Sequence, residues 1–156
     1  MFKKIFISYI FFISICLSVF PEIFIDKNNN YFIDYPVGWN IEKNNINSEL
    51  TIYSPDKSAI FKGFTAGINS YPQITDAYNF VLKALRAGGE YALFDYLDNE
   101  AILADISNSI NNVNYRGYYI IIKGNDNYYF LYAYSEEKKY ESNHDLLLSV
   151  LNTFSF

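Results

Sequence analysis

Apolar and polar residues alternate along Tyr31-Phe32-Ile33-Asp34-Tyr35, which places Tyr31, Ile33 and Tyr35 on one face of a strand. Pro36-Val37-Gly38-Trp39 turns the chain, and Asn40-Ile41-Glu42 resumes the extended run before a polar, Asn-rich stretch from Lys43 to Ser48 that reads as a loop. Alternation returns at Glu49 to Ser54, with Leu50 and Ile52 opposite Thr51 and Tyr53. Ser54-Pro55-Asp56-Lys57 then puts proline at the second position of a type I turn, so a returning strand is expected over Ala59 to Ile68. In that strand Phe61 and Phe64 fall on opposite faces, and Gly63 and Gly67 permit a bend or bulge.

The period changes at Thr75 to Leu85, where Ala77, Phe80, Val81, Ala84 and Leu85 recur at helical spacing. Thr75 or Asp76 is placed to cap this helix and Gly88-Gly89 to end it. Candidate strands follow at Glu90 to Leu97, Glu100 to Ile110 and Gly117 to Lys123, and Gly124-Asn125-Asp126-Asn127 joins the last to Tyr128 to Ser135 as a hairpin. Leu147, Leu148 and Leu151, with Leu146 and Val150 beside them, predict a closing helix to about Asn152, with Ser142 as its cap. Strands, helix, strands, helix, joined by hairpin-sized connections, define an α+β fold: an antiparallel sheet of about six strands flanked by two helices.

Ahead of this lies a different pattern. Residues 1–20 read Met-Phe-Lys-Lys followed by an almost unbroken apolar run from Ile5 to Phe20 that stops at Pro21-Glu22. Two lysines and an apolar stretch shorter than the roughly 20 residues of a spanning helix predict a secretory signal peptide. Cleavage before Val19 suits Cys16 and Ser18; lipidation at Cys16 and retention as an anchor are the alternatives. Residues 21–30 form a short N-terminal segment and 31–156 one domain. The expected location is periplasmic or extracellular, with membrane attachment only through residues 1–20.

Composition narrows the chemistry. The 156 residues carry 12 basic and 17 acidic side chains, and removing the leader takes Lys3 and Lys4 but no acid, so nucleic acid is not an expected partner. One Cys and one His leave no disulfide framework and no multi-ligand His or Cys metal site. His144 would have to serve any Ser-His-Asp mechanism, yet no Gly-x-Ser-x-Gly elbow is present, so it reads as a surface or capping residue. Asp95, Asp98, Glu100 and Asp105 are divided by Tyr96, Leu97, Ala101 and Leu103 in strand-like alternation, as on a solvated sheet face and unlike a calcium loop. No catalytic residue, metal site or cofactor is implied.

The unusual feature is the aromatic content, 16 Tyr and 14 Phe. Tyr119, Tyr129, Tyr132 and Tyr134 of the 118–134 hairpin are the candidate binding surface, an outward ring platform for a protein partner, a glycan or a small molecule. The competing reading is that AT-rich coding inflates Tyr and Phe and that cross-strand Tyr pairs only stabilise the sheet.

Phe32-Ile33-Asp34-Tyr35-Pro36-Val37-Gly38-Trp39 resembles the aromatic-x-x-Tyr-Pro-x-Gly-Trp opening of the PsbP/Mog1-like superfamily. The order of elements agrees, as does the ending Asn152-Thr153-Phe154-Ser155-Phe156. Tyr35, Pro36, Gly38 and Trp39 are then a structural motif, with Trp39 a core anchor. The resemblance implies a small antiparallel sheet with flanking helices in a largely non-enzymatic superfamily that acts by docking to other proteins. For this chain it suggests an exported accessory domain whose partner is another envelope protein; a glycan or small-molecule binding module is the alternative.

Overall fold

A computed structural model describes residues 21–44, 49–85 and 90–156. The leader, part of the Asn-rich loop and the Gly88-Gly89 cap lie outside the described residues. Nine strands and two helices are seen in that span: β1 Glu22–Asp26, β2 Tyr31–Tyr35, β3 Asn40–Asn44, β4 Glu49–Tyr53, β5 Ala59–Gly67, α1 Ile74–Leu85, β6 Tyr91–Tyr96, β7 Asn99–Ile110, β8 Val113–Lys123, β9 Asn127–Glu136 and α2 Tyr140–Asn152. Seven strands form one antiparallel sheet in the order β3-β4-β5-β9-β8-β7-β6, and β1 pairs with β2 in a separate two-stranded sheet. The fold is α+β.

Two features depart from expectation. Residues 21–30 hold a strand of their own, β1, and the extended run broken at Pro36 does not resume in the same sheet. Gly38 takes φ +82°, the left-handed region that suits glycine, and the Trp39 amide donates to the Pro36 carbonyl at 3.2 Å. That turn sends β2 to β1 and β3 to β4. Around it, the buried Tyr35 hydroxyl donates to Glu22 Oε2 at 2.9 Å, and Trp39 packs half-buried against the core.

Each face of the large sheet carries a packed layer. On one, α2 and the β1–β2 hairpin bury Ile33, Leu50, Ile52, Phe61, Ile122, Leu131 and Leu147 together with Phe154. On the other, α1 lays Ile74, Ala77, Tyr78 and Val81 over Ile102, Ile121 and Phe130. The α1 stripe therefore begins at Ile74, and Phe80 and Ala84 fall outside it. Asp76 Oδ2 accepts from the Gln73 amide at 3.1 Å, the returning half of a capping box. Helix α2 starts two residues earlier than Ser142, because Tyr140 is already buried with Arg116 over its ring at 4.5 Å. Ser142 instead donates back to the Lys139 carbonyl.

Asp26 closes the β1–β2 turn and is buried. Its carboxylate accepts from the Asn28 and Asn29 amides at 3.0 and 3.2 Å and from the Asn29 side chain at 3.0 Å, and Lys43 lies 3.0 Å away. Burial alone would push this carboxyl up, but the hydrogen bonds from Asn29, Lys43 and the Asn28 amide outweigh it and hold the group below the ordinary 3.8. A carboxyl depressed on folding adds stability that is present above 3.8 and is lost as pH falls through the lower folded value. Asp56, held low by Lys139, Ser54 and Ser58, adds in the same direction. Denaturation midpoints should therefore fall on acidification below about pH 4, and Asp26→Asn should flatten that slope while lowering stability near neutral pH by about 2 kcal/mol. Circular dichroism melts over an acid pH series measure both; an unchanged slope in the variant would assign the acid sensitivity to other carboxylates.

Candidate functional site

Helix α1 lies over β7 and β8 and leaves part of its sheet face open. There a cleft of about 500 Å³ opens, walled by Phe80 of α1 and by Ile106 and Ile110 of β7, and floored by Phe64, Tyr132 and Tyr134. Tyr115 and Asn108 close one end and the Lys62–Glu49 pair, Nζ to Oε1 2.8 Å, borders it on β5 and β4. This size and lining suit a small apolar or aromatic group. Phe80 and Ile110, 50% and 48% exposed, are the accessible lips.

Local patterning explains the walls. In β5, Phe61 points to the α2 face, so Phe64 is turned to the α1 face, where it stacks on Phe130 at 4.5 Å and 3° and on Tyr132 at 5.9 Å and 17°. Tyr115 meets Tyr134 edge-on at 5.6 Å and 88°. The floor is thus a fixed aromatic array. Burial pushes the Tyr134 hydroxyl up to about 12, with Tyr115 and Glu49 adding to it, and burial raises Tyr132 further. Both stay protonated at neutral pH. They can give and take hydrogen bonds, and neither is a nucleophile there.

The four tyrosines of the expected platform do not share a surface. Register pairs Tyr119 with Tyr132 and Ile122 with Tyr129, which puts Tyr119, Tyr132 and Tyr134 on the α1 face and Tyr129 on the α2 face. Tyr119 is buried against Tyr78 and Tyr132, at 6.0 and 6.1 Å between rings. Tyr129 is buried among Tyr31, Phe154 and Phe156, and its hydroxyl donates to the Asn29 carbonyl at 3.3 Å. The outward platform is corrected: Tyr129 and Tyr132 are three residues apart, so the period of two puts them on opposite faces, and the layers on those faces bury Tyr129 and Tyr119. Tyr132 and Tyr134 do reach a site, as the floor of the cleft. Phe64, Phe80, Ile106, Ile110 and Tyr115 were missed; the signal for Ile106 and Ile110 was their alternation with Ser107 and Ser109 at the end of β7, which puts them on one face with Asn108.

His144 stands on α2, with Nε2 2.9 Å from the Tyr118 hydroxyl and Nδ1 2.9 Å from Asp145 Oδ1. Asp145 is fully solvated, so this chain of contacts lies on the surface and pins α2 to β8. Asp95, Asp98, Glu100 and Asp105 are exposed side chains along β6 and β7 and their turn. Among the described residues no three His, Cys, Asp or Glu side chains are grouped to hold a metal ion, and no helix is long and apolar enough to cross a membrane.

This architecture, a seven-stranded antiparallel sheet with a helix on each face and an N-terminal hairpin, is a PsbP-like α+β fold. The chain is similar in structure to cyanobacterial PsbP from Synechocystis sp. PCC 6803, with a TM-score of 0.67 and 13% identity over 86% of this chain and 91% of that one. It is similar also to LpqN of Mycobacterium tuberculosis, described as involved in cell envelope biogenesis, with a TM-score of 0.57, 10% identity, and coverage of 86% and 83%. A protein from Bacteroides thetaiotaomicron aligns at a TM-score of 0.60 and 14% identity over 86% of this chain and 47% of its own. No protein-family model matches the sequence, and no curated protein matches it.

Proposed function

We propose that this protein is an exported, non-catalytic accessory domain of the cell envelope that works by binding, with the α1-side cleft as its working surface. The cleft itself carries the reading: fixed aromatic rings, two accessible apolar lips and one ion pair make a receptor for an apolar group, and no activated nucleophile or metal cluster faces it among the described residues. The leader sequence and the similarity to an envelope-biogenesis protein support the location. The occupant is an apolar side chain of another envelope protein, since aromatic-lined hollows are where partner anchor residues seat. A small-molecule ligand is the second reading, favoured by the aromatic floor of Phe64, Tyr132 and Tyr134.

A photo-crosslinking residue placed at Phe80 in the full chain, in cells, should give a discrete adduct with one envelope protein, and the same residue at exposed Asp95 should not. Ile110→Glu should weaken that capture about tenfold or more, because a carboxylate would be desolvated at the lip, while the melting midpoint stays within a few degrees. If position 80 captures no protein but the cleft binds an anilinonaphthalene sulfonate reporter that Ile110→Glu displaces, the small-molecule reading replaces the first. Absence of both would remove the cleft as the working surface.

A further inference from the structure

The β1–β2 hairpin has a second apolar face, turned away from the core. Register pairs Ile23 with Asp34 and Ile25 with Phe32, so these side chains share one side, while Phe24, Tyr31 and Ile33 pack inward. Ile23, Ile25 and Phe32 are 60%, 61% and 44% exposed, and Val37 in the following turn is 50% exposed. Scattered apolar residues need no cause, but a cluster built by one hairpin marks an interaction surface. Two acids border it: Asp34, half-buried opposite Ile23, stands on this side at its edge next to α2, and Glu22, on the inward side, is engaged by the Tyr35 hydroxyl at 2.9 Å and the Gly38 amide at 3.5 Å.

Chain order indicates what covers this face. The apolar run that begins at Ile5 ends at Phe20, and only Pro21 and Glu22 separate it from Ile23. If Cys16 carries the anchor instead, the intervening chain still spans at most about 25 Å. Either attachment brings the hairpin to a bilayer surface. We propose that, in the membrane-tethered form of the chain, Ile23, Ile25, Phe32 and Val37 seat in the headgroup region of a phospholipid bilayer. The hairpin packs on the α2 face of the large sheet and the cleft opens on the α1 face, so this footing turns the cleft away from the lipid. The contact is apolar and is made by an acidic domain, so it does not depend on anionic lipid or low salt. It does not rest on what occupies the cleft.

The test uses the full chain with residues 1–20 in phosphatidylcholine vesicles. Trp39, the one tryptophan, is replaced by Phe, and a tryptophan is introduced by Phe32→Trp or, on the α1 face, by Phe80→Trp. Phospholipid brominated near the headgroup end of its acyl chains should quench position 32 about twofold or more, since an interfacial apolar face sits about 5–10 Å into the headgroup and acyl boundary, and should leave position 80 unquenched. Equal quenching at both positions, or none at 32, overturns the proposal. Recovery of a soluble chain that lacks Cys16 overturns it too, as does shielding of position 32 by a second copy, seen as concentration-dependent crosslinking in place of lipid quenching. Should Trp39→Phe impair folding, the same two substitutions with Trp39 retained are read as quenching above its own signal.

Discussion

Gly117→Ala will destabilise the domain by about 3 kcal/mol or more, a large share of the total stability of a domain this size. Gly117 lies in β8, paired with Tyr134 on one side and Ile106 on the other. A Cβ there would run into the Ala133 carbonyl oxygen and would lie 2.5 Å from Tyr134 Cα and 2.7 Å from Tyr134 Cβ. These are mostly backbone atoms, fixed by pairing that continues from Tyr115 to Lys123, and no rotamer change relieves the clash. Urea denaturation gives the measure. Gly63→Ala is the control, because its Cβ would meet Leu131 and Phe61 side chains at an ordinary 3.6 Å, so that variant should stay within about 1 kcal/mol of the parent. A mild Gly117→Ala would mean that β8 and β9 can separate locally, and the floor of the cleft at Tyr134 would then be less fixed than described.

Phe154→Ala should cost about 4 kcal/mol, at the usual scale for a fully buried phenylalanine. Phe154 lies 5.4 Å from both Tyr31 and Tyr129 and 5.9 Å from Phe156, so it joins β2 to β9 through rings. The chain around it is tied as well: Phe32 and Ser155 exchange backbone hydrogen bonds at 2.8 and 3.0 Å, and Thr153 Oγ1 accepts from the Asp34 amide at 3.0 Å. Removing the ring should loosen both the hairpin and the end of α2, seen as faster hydrogen exchange in β1 and β2 than in β7. Asn152→Ala, at an exposed position two residues before, should change little. Equal exchange in all strands of the Phe154→Ala variant would show that the hairpin is held by other contacts.

Period and turn chemistry were enough to read the sheet strands, both helices and the α+β class. Strands β4 and β5 and the Gly124–Asn127 turn follow directly from alternation and from residues that favour tight reversals. The assignment of β2 to its own small sheet was not legible, because it depends on a partner strand and on one positive φ at Gly38, and hydrophobic spacing reports neither. The tyrosines failed for a related reason. Alternation tells which rings share a face, and it already separates Tyr129 from Tyr132 and Tyr134, so a single platform of all four conflicted with it; it is silent, besides, on whether a face is covered. Here α2 and α1 cover opposite faces, so Tyr129 and Tyr119 are both interior. The cleft was hidden because it is the part of one face that α1 fails to reach, a matter of where Ile74 starts the helical stripe and leaves Phe80 at the edge.

The position of β9 bears on how the molecule assembles. Strands β3 to β5 and β6 to β8 are two local meanders, and in the sheet they meet only through β9, the last strand in the chain. Until residues 127–136 have been delivered, β5 and β8 each present an unpaired edge, and the side chains of Phe61, Phe64 and Ile121 lack their cross-strand neighbours on β9. Pairing Ala59–Gly67 with a segment some seventy residues later is a non-local closure of the kind that slows folding. Synthesis in N-to-C order therefore leaves the two meanders unjoined until β9 has been made. For the exported form proposed above, a chain that stays open so long would remain threadable by a translocation channel, with its edges needing a shield on the way.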